Sequence, residues 1–483
     1  MDLSNPCRRV CLHRTIAWVA LLALALGLRV GFASCYPNIF HADEVYQTLE
    51  PAHRLVYGYG VIPWEWRTGI RSWILPVFLA GVMRVTGWMG SGSAGYIFGV
   101  DVFLSIASLT TVWFGYLWAK RVSGREAAII AAGACSCFFA LVYFAPKALT
   151  EIVATDFLLP GLYLGVYGEQ VNEKKRLLLA GILCGLAASL RIQLIPTVAV
   201  AALYFCFPRW RQRIPAVLAG LALPILAFGL VDAFTWSYPF QSFIRNFQVN
   251  VLEGRSLAYR GDPWYWYLTV LLYLLGPMVV FLWKGARRSP FLAILFLVIV
   301  GSHSLFSHKE IRFIYPAIPM AITLASVGFV ESIAKIKSRL NLPEVSRLVV
   351  VVGVLCFALS SLLFVRTSVL QHKATGAALA FDQLSRDPML CGVALDRVYW
   401  MVVGGYTHLH RDVPIIPVQD GADFMNKAPA FNALVAPIAI SGVPSSFERG
   451  DCWSGICVYR RAGACIAPKP QDTLNAVLQR TGQ

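Results

Sequence analysis

Two adjacent carboxylates follow a histidine at His41-Ala42-Asp43-Glu44, just behind the first long apolar run. Acids at the mouth of a membrane segment are costly unless they act. An acid there suits taking a proton from an incoming hydroxyl, which is general-base work. The same polar segment continues through Gln47, Glu50, His53, Arg54, Trp64-Glu65-Trp66-Arg67 and Arg71. A second constellation, Ser307-His308-Lys309-Glu310-Ile311-Arg312, puts His308, Lys309 and Arg312 within five residues, a spacing suited to an anion such as phosphate. A third runs over 233–267, with Trp236, Tyr238, Phe243, Asn246, Phe247, Asn250, Tyr259 and Asp262-Pro263-Trp264-Tyr265-Trp266-Tyr267. Flat aromatic faces suit sugar rings, and equally a membrane interface. A fourth is Lys147-Ala148-Leu149-Thr150-Glu151. Each has a plainer alternative: a solvated loop with ordinary ion pairs for the first, lipid-headgroup anchoring for the second, a helix cap for the fourth.

The chain that must position these groups is a membrane protein. Of its 483 residues 57% are hydrophobic and 14% charged, where soluble domains carry roughly 25% charged residues. The runs are long and unalternating, so helices are the expected spanning form. A net charge of +16 would suggest nucleic acid in a soluble protein. Here the cations fall in short clusters between apolar runs, which is the signature of topology, and no nucleic-acid partner is expected. No Cys or His grouping has zinc spacing and no phosphate-binding P-loop sequence is present. Neither a metal nor another cofactor is expected.

Arg8, Arg9, His13 and Arg14 precede the first apolar run and place the N-terminus in the cytoplasm, with that run kept as an uncleaved span. Arg29, near its outer end, either snorkels or faces the site. Residues 70–87 are apolar but short, broken by Pro76 and Arg84. If they lie along the membrane, and 177–207 breaks near Arg191 and Pro196, every basic cluster falls in the cytoplasm: Lys120-Arg121, Lys174-Lys175-Arg176, Arg209/Arg211/Arg213, Arg287-Arg288 and Lys335/Lys337/Arg339/Arg347. The expectation is an all-α polytopic protein of about eleven transmembrane helices over 1–366, with a first outer loop at 34–95. From 367 to 483 the composition turns mixed, with strands expected at 391–403 and 431–440. This reads as a small extracytoplasmic α/β domain. Its Cys391, Cys452, Cys457 and Cys465 allow three disulfide connectivities, Cys452 with Cys457 being the most local pair.

The acids, cations and aromatics then share the face away from the cytoplasm, which suits group transfer from a lipid-phosphate donor. The order of motifs resembles glycosyltransferase family 22, and within it the GPI mannosyltransferase 3-like branch. The resemblance lies in residues 41–53 (HADEVYQTLEPAH), Trp-Glu-Trp-Arg (64–67), Gly-Ile-Arg-Ser-Trp (69–73), the 262–267 aromatic run and His-Lys-Glu-Ile-Arg-Phe (308–313). It departs at Ala42, where Pro is more usual, and at Tyr265, where His is common.

The resemblance implies a GT-C fold and a polyprenyl- or dolichyl-phosphate mannose donor. It also implies a glycolipid acceptor, no metal, and inverting transfer in the endoplasmic-reticulum lumen or a bacterial periplasm. Asp43 is the expected base with Glu44 in support. His308, Lys309 and Arg312 are expected at the donor phosphate, and His41, Trp64, Glu65, Arg71, Trp264 and Trp266 at the substrate. A bacterial lipid-phosphate-sugar transferase with another acceptor would look much the same, and a non-catalytic lipid-linked sugar transporter or scramblase is the rival from another class. Membrane lipids are expected partners in every case.

Overall fold

A computed structural model describes residues 6–168, 172–255, 261–340, 346–367, 375–440 and 442–483. Tyr259 and the side chains of Cys7, Cys11, Lys337, Arg339 and Arg347 lie outside that description. The first part is a helical bundle: α1 (Pro6–Cys35), α2 (Ile74–Thr86), α3 (Ala94–Ala107), α4 (Leu109–Cys137), α5 (Thr150–Tyr167), α6 (Glu173–Leu190), α7 (Ile195–Cys206), α8 (Trp210–Thr235), α9 (Trp266–Leu275), α10 (Pro290–Ser304), α11 (Ala317–Leu340) and α12 (Ser346–Thr367). Among the described residues, five helical stretches are long and apolar enough to cross a bilayer, and four shorter apolar helices accompany them. The longest, Ala94–Cys137, has 44 residues, about twice what a bilayer needs. It bends at Gly124, whose φ of 80° admits few other residues. The expected break near Arg191 is present: α6 stops at Leu190 and α7 starts at Ile195 after one tight turn.

Helices in lipid pack through small residues that let backbones approach. α6 and α8 meet this way, since a Cβ on Gly181 would come within 2.7 Å of the Val217 carbonyl. Arg29 neither snorkels nor faces the site. It is fully buried, its guanidinium bonded to Ser108 Oγ (2.9 Å) and to the carbonyls of Ala25, Cys135 and Ser136 (2.9–3.1 Å). A buried arginine needs such acceptors, and these tie α1 to α4 and to Ser108 in the link between α3 and α4.

The tail forms a five-stranded sheet: β1 (Val393–Asp396), β2 (Ile415–Val418), β3 (Ala433–Pro437), β4 (Glu448–Trp453) and β5 (Ile456–Arg460), ordered β2-β1-β3-β5-β4. β1 runs parallel to β2 and β3, and β5 antiparallel to β3 and β4. The expected strand at 391–403 is shorter than its window, because the chain turns into a 3-10 helix at Trp400–Val402. The disulfides are Cys391–Cys465 and Cys452–Cys457, the second joining β4 to β5.

This unit is not a separate lobe. Ile39, Val45, Tyr46 and Val61 of the outer loop share one apolar core with Trp400, Val403 and Leu409 of the tail. The Tyr46 hydroxyl donates to the Trp400 carbonyl at 2.7 Å. Glu50, wholly buried, accepts from the amides of Val61, Tyr406 and Thr407 and from the Thr407 hydroxyl (2.6–2.9 Å). Next to it His53 Nε2 meets His410 Nδ1 at 3.1 Å. Burial first, then His410, pulls the His53 imidazole down to about 3.

A histidine held neutral in the fold stabilises above its unfolded pKa of about 6.5, and that stabilisation is lost as pH falls toward 3. Acidifying from pH 7.5 to 5.5 should therefore weaken the fold by about 1 kcal/mol through His53. His53→Gln should flatten that pH dependence in a detergent melting series. An unchanged slope would place the sensitivity elsewhere.

Candidate active site

α1 ends at Cys35, and six residues later His41 caps a short turn, Ala42–Glu44, its Nδ1 accepting from the Asp43 amide at 3.2 Å. The turn runs into a wider π-helical one, Val45–Leu49, a form found often at functional sites. Thr48 Oγ1 holds this turn in place, lying within hydrogen-bond reach of the carbonyls of Glu44 (2.6 Å) and Ala148 (2.7 Å). The two neighbouring acids then part. Asp43, with a quarter of its side chain exposed, meets Arg312 Nη2 at 2.6 Å. Glu44 points inward to Lys147 Nζ at 3.3 Å and accepts from the Phe40 amide at 3.1 Å. Glu44 thus faces away from Arg312 and ties the turn to Lys147 and the Phe40 amide.

Arg312 sits on the turn Ile311–Ile314 between α10 and α11. It is the hub of the site. Besides Asp43 it holds Glu310, Nε to Oε2 at 2.8 Å, and lies 3.7 Å from Glu151 Oε1. Glu151, in the first turn of α5, also pairs with Arg191 at 3.1 Å. His41 Nδ1 lies 3.3 Å from Asp43 Oδ1, and His308 Nε2 lies 3.0 Å from Glu310 Oε1. Glu65 joins Arg71 (3.2 Å) and accepts from Gln47 (3.0 Å).

Burial alone would raise the Asp43 pKa, but Arg312, then His41 and Arg71, outweigh it and hold the carboxyl well below the usual range. Burial likewise opposes ionisation of Glu310, and its bond to His308 with the charge of Arg312 brings it down to about 2. Glu44 goes the other way: burial wins over Lys147 and pushes it up. For His41, burial opposes the charge, yet the bond to Asp43 leaves the imidazole raised. Asp43 is therefore an anion at rest, its basicity muted by the guanidinium. A second anion that drew on Arg312 would restore that basicity.

Not every expected residue joins this cluster. The Lys309 ammonium is buried and engaged by the carbonyls of Phe306 and Asp262. These contacts fix its own loop to the 262–267 run. Trp64 lies under the Arg255 guanidinium, 3.6 Å from its ring centre. Trp264 is 69% exposed, and Trp266 packs edge-on against Tyr267. Glu310, Glu151 and Arg191 are functional neighbours that sequence reasoning did not assign. Glu310 lay inside a recognised motif, Glu151 in the fourth constellation, and Arg191 at a helix break.

A helical membrane bundle, a half-buried Asp–Arg pair at the mouth of its first outer loop and a tail domain packed over that loop define a polytopic glycosyltransferase of the GT-C type. A family model for the Alg9-like mannosyltransferases matches residues 18–398, and the chain belongs to that family. GPI mannosyltransferase 3 of Yarrowia lipolytica is 27% identical over 415 residues, covering 83% of this chain and 77% of that protein. GPI alpha-1,2-mannosyltransferase 3 of Xenopus laevis is 26% identical over 331 residues, 64% of this chain and 60% of its own length. The chain thus spans about three fifths of that relative. ArnT from Cupriavidus metallidurans, in a crystal structure bound to undecaprenyl phosphate, has the same fold. Its TM-score is 0.61 at 13% identity, over 96% of this chain and all of that one.

Glu151 is the anion that two buried guanidiniums share. Glu151→Ala should cost about 3–5 kcal/mol, the usual loss when a buried pair is broken. Asp43→Asn should cost far less, since Arg312 keeps Glu310 and Glu151. Thermal unfolding in one detergent gives the ranking, and the reverse order would show that Glu151 is not the shared support.

Proposed function

We propose that this mannosyltransferase moves mannose from a polyprenyl- or dolichyl-phosphate donor to a glycolipid acceptor, with inversion, on the extracytoplasmic face. The α-1,2 linkage in the name of the Xenopus laevis relative is the linkage proposed here. The observation that carries the reading is the 2.6 Å contact between Asp43 and Arg312. It sets a carboxylate that can accept a proton against a cation that can accept a leaving phosphate. The acceptor hydroxyl gives its proton to Asp43 as its oxygen bonds to the anomeric carbon. The carbon–oxygen bond to phosphate breaks on the opposite face, and the electron pair leaves with the lipid phosphate. Arg312, with His308 nearby, stabilises charge where it develops. His41, Glu65 and Arg71 shape the substrate side, and Trp64, Trp264 and Trp266 are its aromatic surfaces.

Support for an outward-facing site comes from α2. Before it, the Ile62 amide donates to Asn475 Oδ1 (2.9 Å). After it, Ser93 Oγ donates to Asp382 Oδ1 (2.7 Å). A helix whose flanking segments both meet the tail fits a segment that does not cross, and with it the eleven-span count.

Asp43→Asn should abolish transfer from polyprenyl-phosphate mannose while the protein remains folded; retention of most activity would reassign the base. In the wild type, kcat/KM should hold as pH falls through the ordinary carboxylate range near 4, because the base titrates below it. Arg312→Gln should shift that acid limb upward. For topology, Ser91→Cys in a background without Cys35 should react with an impermeant maleimide from the tail's side of the membrane. Reaction from the opposite side would make α2 a span.

A further inference from the structure

A second guanidinium stands beside Arg312 with no task in the transfer step. Arg191 sits where α6 stops, its backbone extended at φ −139° and ψ 95°. Both guanidiniums lie against the ring of Phe313, Arg191 at 4.8 Å and Arg312 at 5.1 Å from its centre. Like charges on one ring repel unless an anion stands between them. One oxygen does so: Glu151 Oε1 lies 3.1 Å from Arg191 and 3.7 Å from Arg312. Its carboxylate is in the first turn of α5, where a helix N-terminus favours negative charge.

The sharing is uneven. Arg312 already holds Asp43 at 2.6 Å and Glu310 at 2.8 Å, so Glu151 lies nearer the cation with fewer anions. It is also loosely made. Glu151 Oε1 takes no aligned hydrogen bond among the described residues, and Arg191 Nε has no partner among them. Without Arg191, the cation left within ion-pair reach of Glu151 is Arg312. A third anion closing on Arg312 would loosen its hold on Asp43. We propose that Arg191 is a positioning residue for the transfer: by holding Glu151, it leaves Arg312 free to restrain Asp43 at rest and to meet the leaving phosphate in the reaction. Arg191 acts through Glu151 and Arg312 and touches neither reacting group. The inference rests on Asp43 as the base and adds the residue that sets how firmly that base is held.

The acid side of kcat/KM tests it. Asp43 is faced by Arg312, His41, Arg71 and Glu65, and Arg312 by Glu310, which is itself bonded to His308. These groups are common to every variant compared. The wild type should keep its kcat/KM between about pH 6.5 and about pH 4. Arg191→Gln should lose about threefold or more over that span, because Glu151 then neutralises Arg312 and burial lifts the released Asp43 carboxyl. Arg191→Lys keeps the charge and should restore the flat profile. In a Glu151→Gln background, Arg191→Gln should change the profile no further, since the carboxylate through which it acts is gone. Activity regained on return to the higher pH separates titration from unfolding, and Arg191→Met takes the place of the Gln variant if that one does not fold. A flat profile in the neutral variant would overturn the proposal. So would an equal loss in the Glu151→Gln background, or a raised donor KM as the main effect, which would put Arg191 on the substrate. Most activity surviving in Asp43→Asn would instead remove the base assignment, and this coupling with it.

Discussion

A single buried guanidinium must be neutralised, and much of the site's architecture follows from that demand. Arg312 cannot sit inside the protein without anions around it. Its three partners come from separate places: Asp43 from the first outer loop, Glu151 from the start of α5, and Glu310 from its own turn. Satisfying it draws the loop, a helix end and an inter-helix turn to one point. The same pairing keeps Asp43 ionised but weakly basic until another anion competes for the arginine.

The tail supplies rigidity. A loop of some sixty residues would wander on its own, and a site functions only when its supports are fixed. Here Glu50 closes four hydrogen bonds with the loop and the tail, Tyr46 adds a fifth to the tail, and apolar side chains of both parts pack together. The acid and its anchor belong to one continuous segment, Ala42 to Tyr57, so stiffness at Glu50 is passed back along less than two helical turns to Asp43.

Asp43 and Arg312 were legible in the sequence because charged residues near apolar runs are rare and each lay in a distinctive motif. The helical bundle, the break near Arg191 and the pairing of Cys452 with its neighbour were legible because apolar length, proline and short spacing are local properties. What was not legible was direction. Asp43 and Glu44 are adjacent, yet only the folded turn sends one to Arg312 and the other to Lys147. Lys309 has the chemistry of a phosphate ligand, but its nearest acceptors are carbonyls of its own and a neighbouring loop. β4, with the sequence Glu-Arg-Gly-Asp-Cys-Trp, lacks alternation because it is an exposed edge strand. Arg29 read as either interfacial or site-facing because most of its acceptors lie far downstream.

That distance bears on how the chain is made. α1 carries a charge into lipid whose settled partners, Ser108, Cys135 and Ser136, follow it by 79, 106 and 107 residues. At ribosomal speeds of about 5–20 residues per second, the first helix waits roughly 5–20 seconds for the last of them. Until α4 is made, the Arg29 guanidinium lacks the Cys135 and Ser136 carbonyls that hold it in the finished bundle.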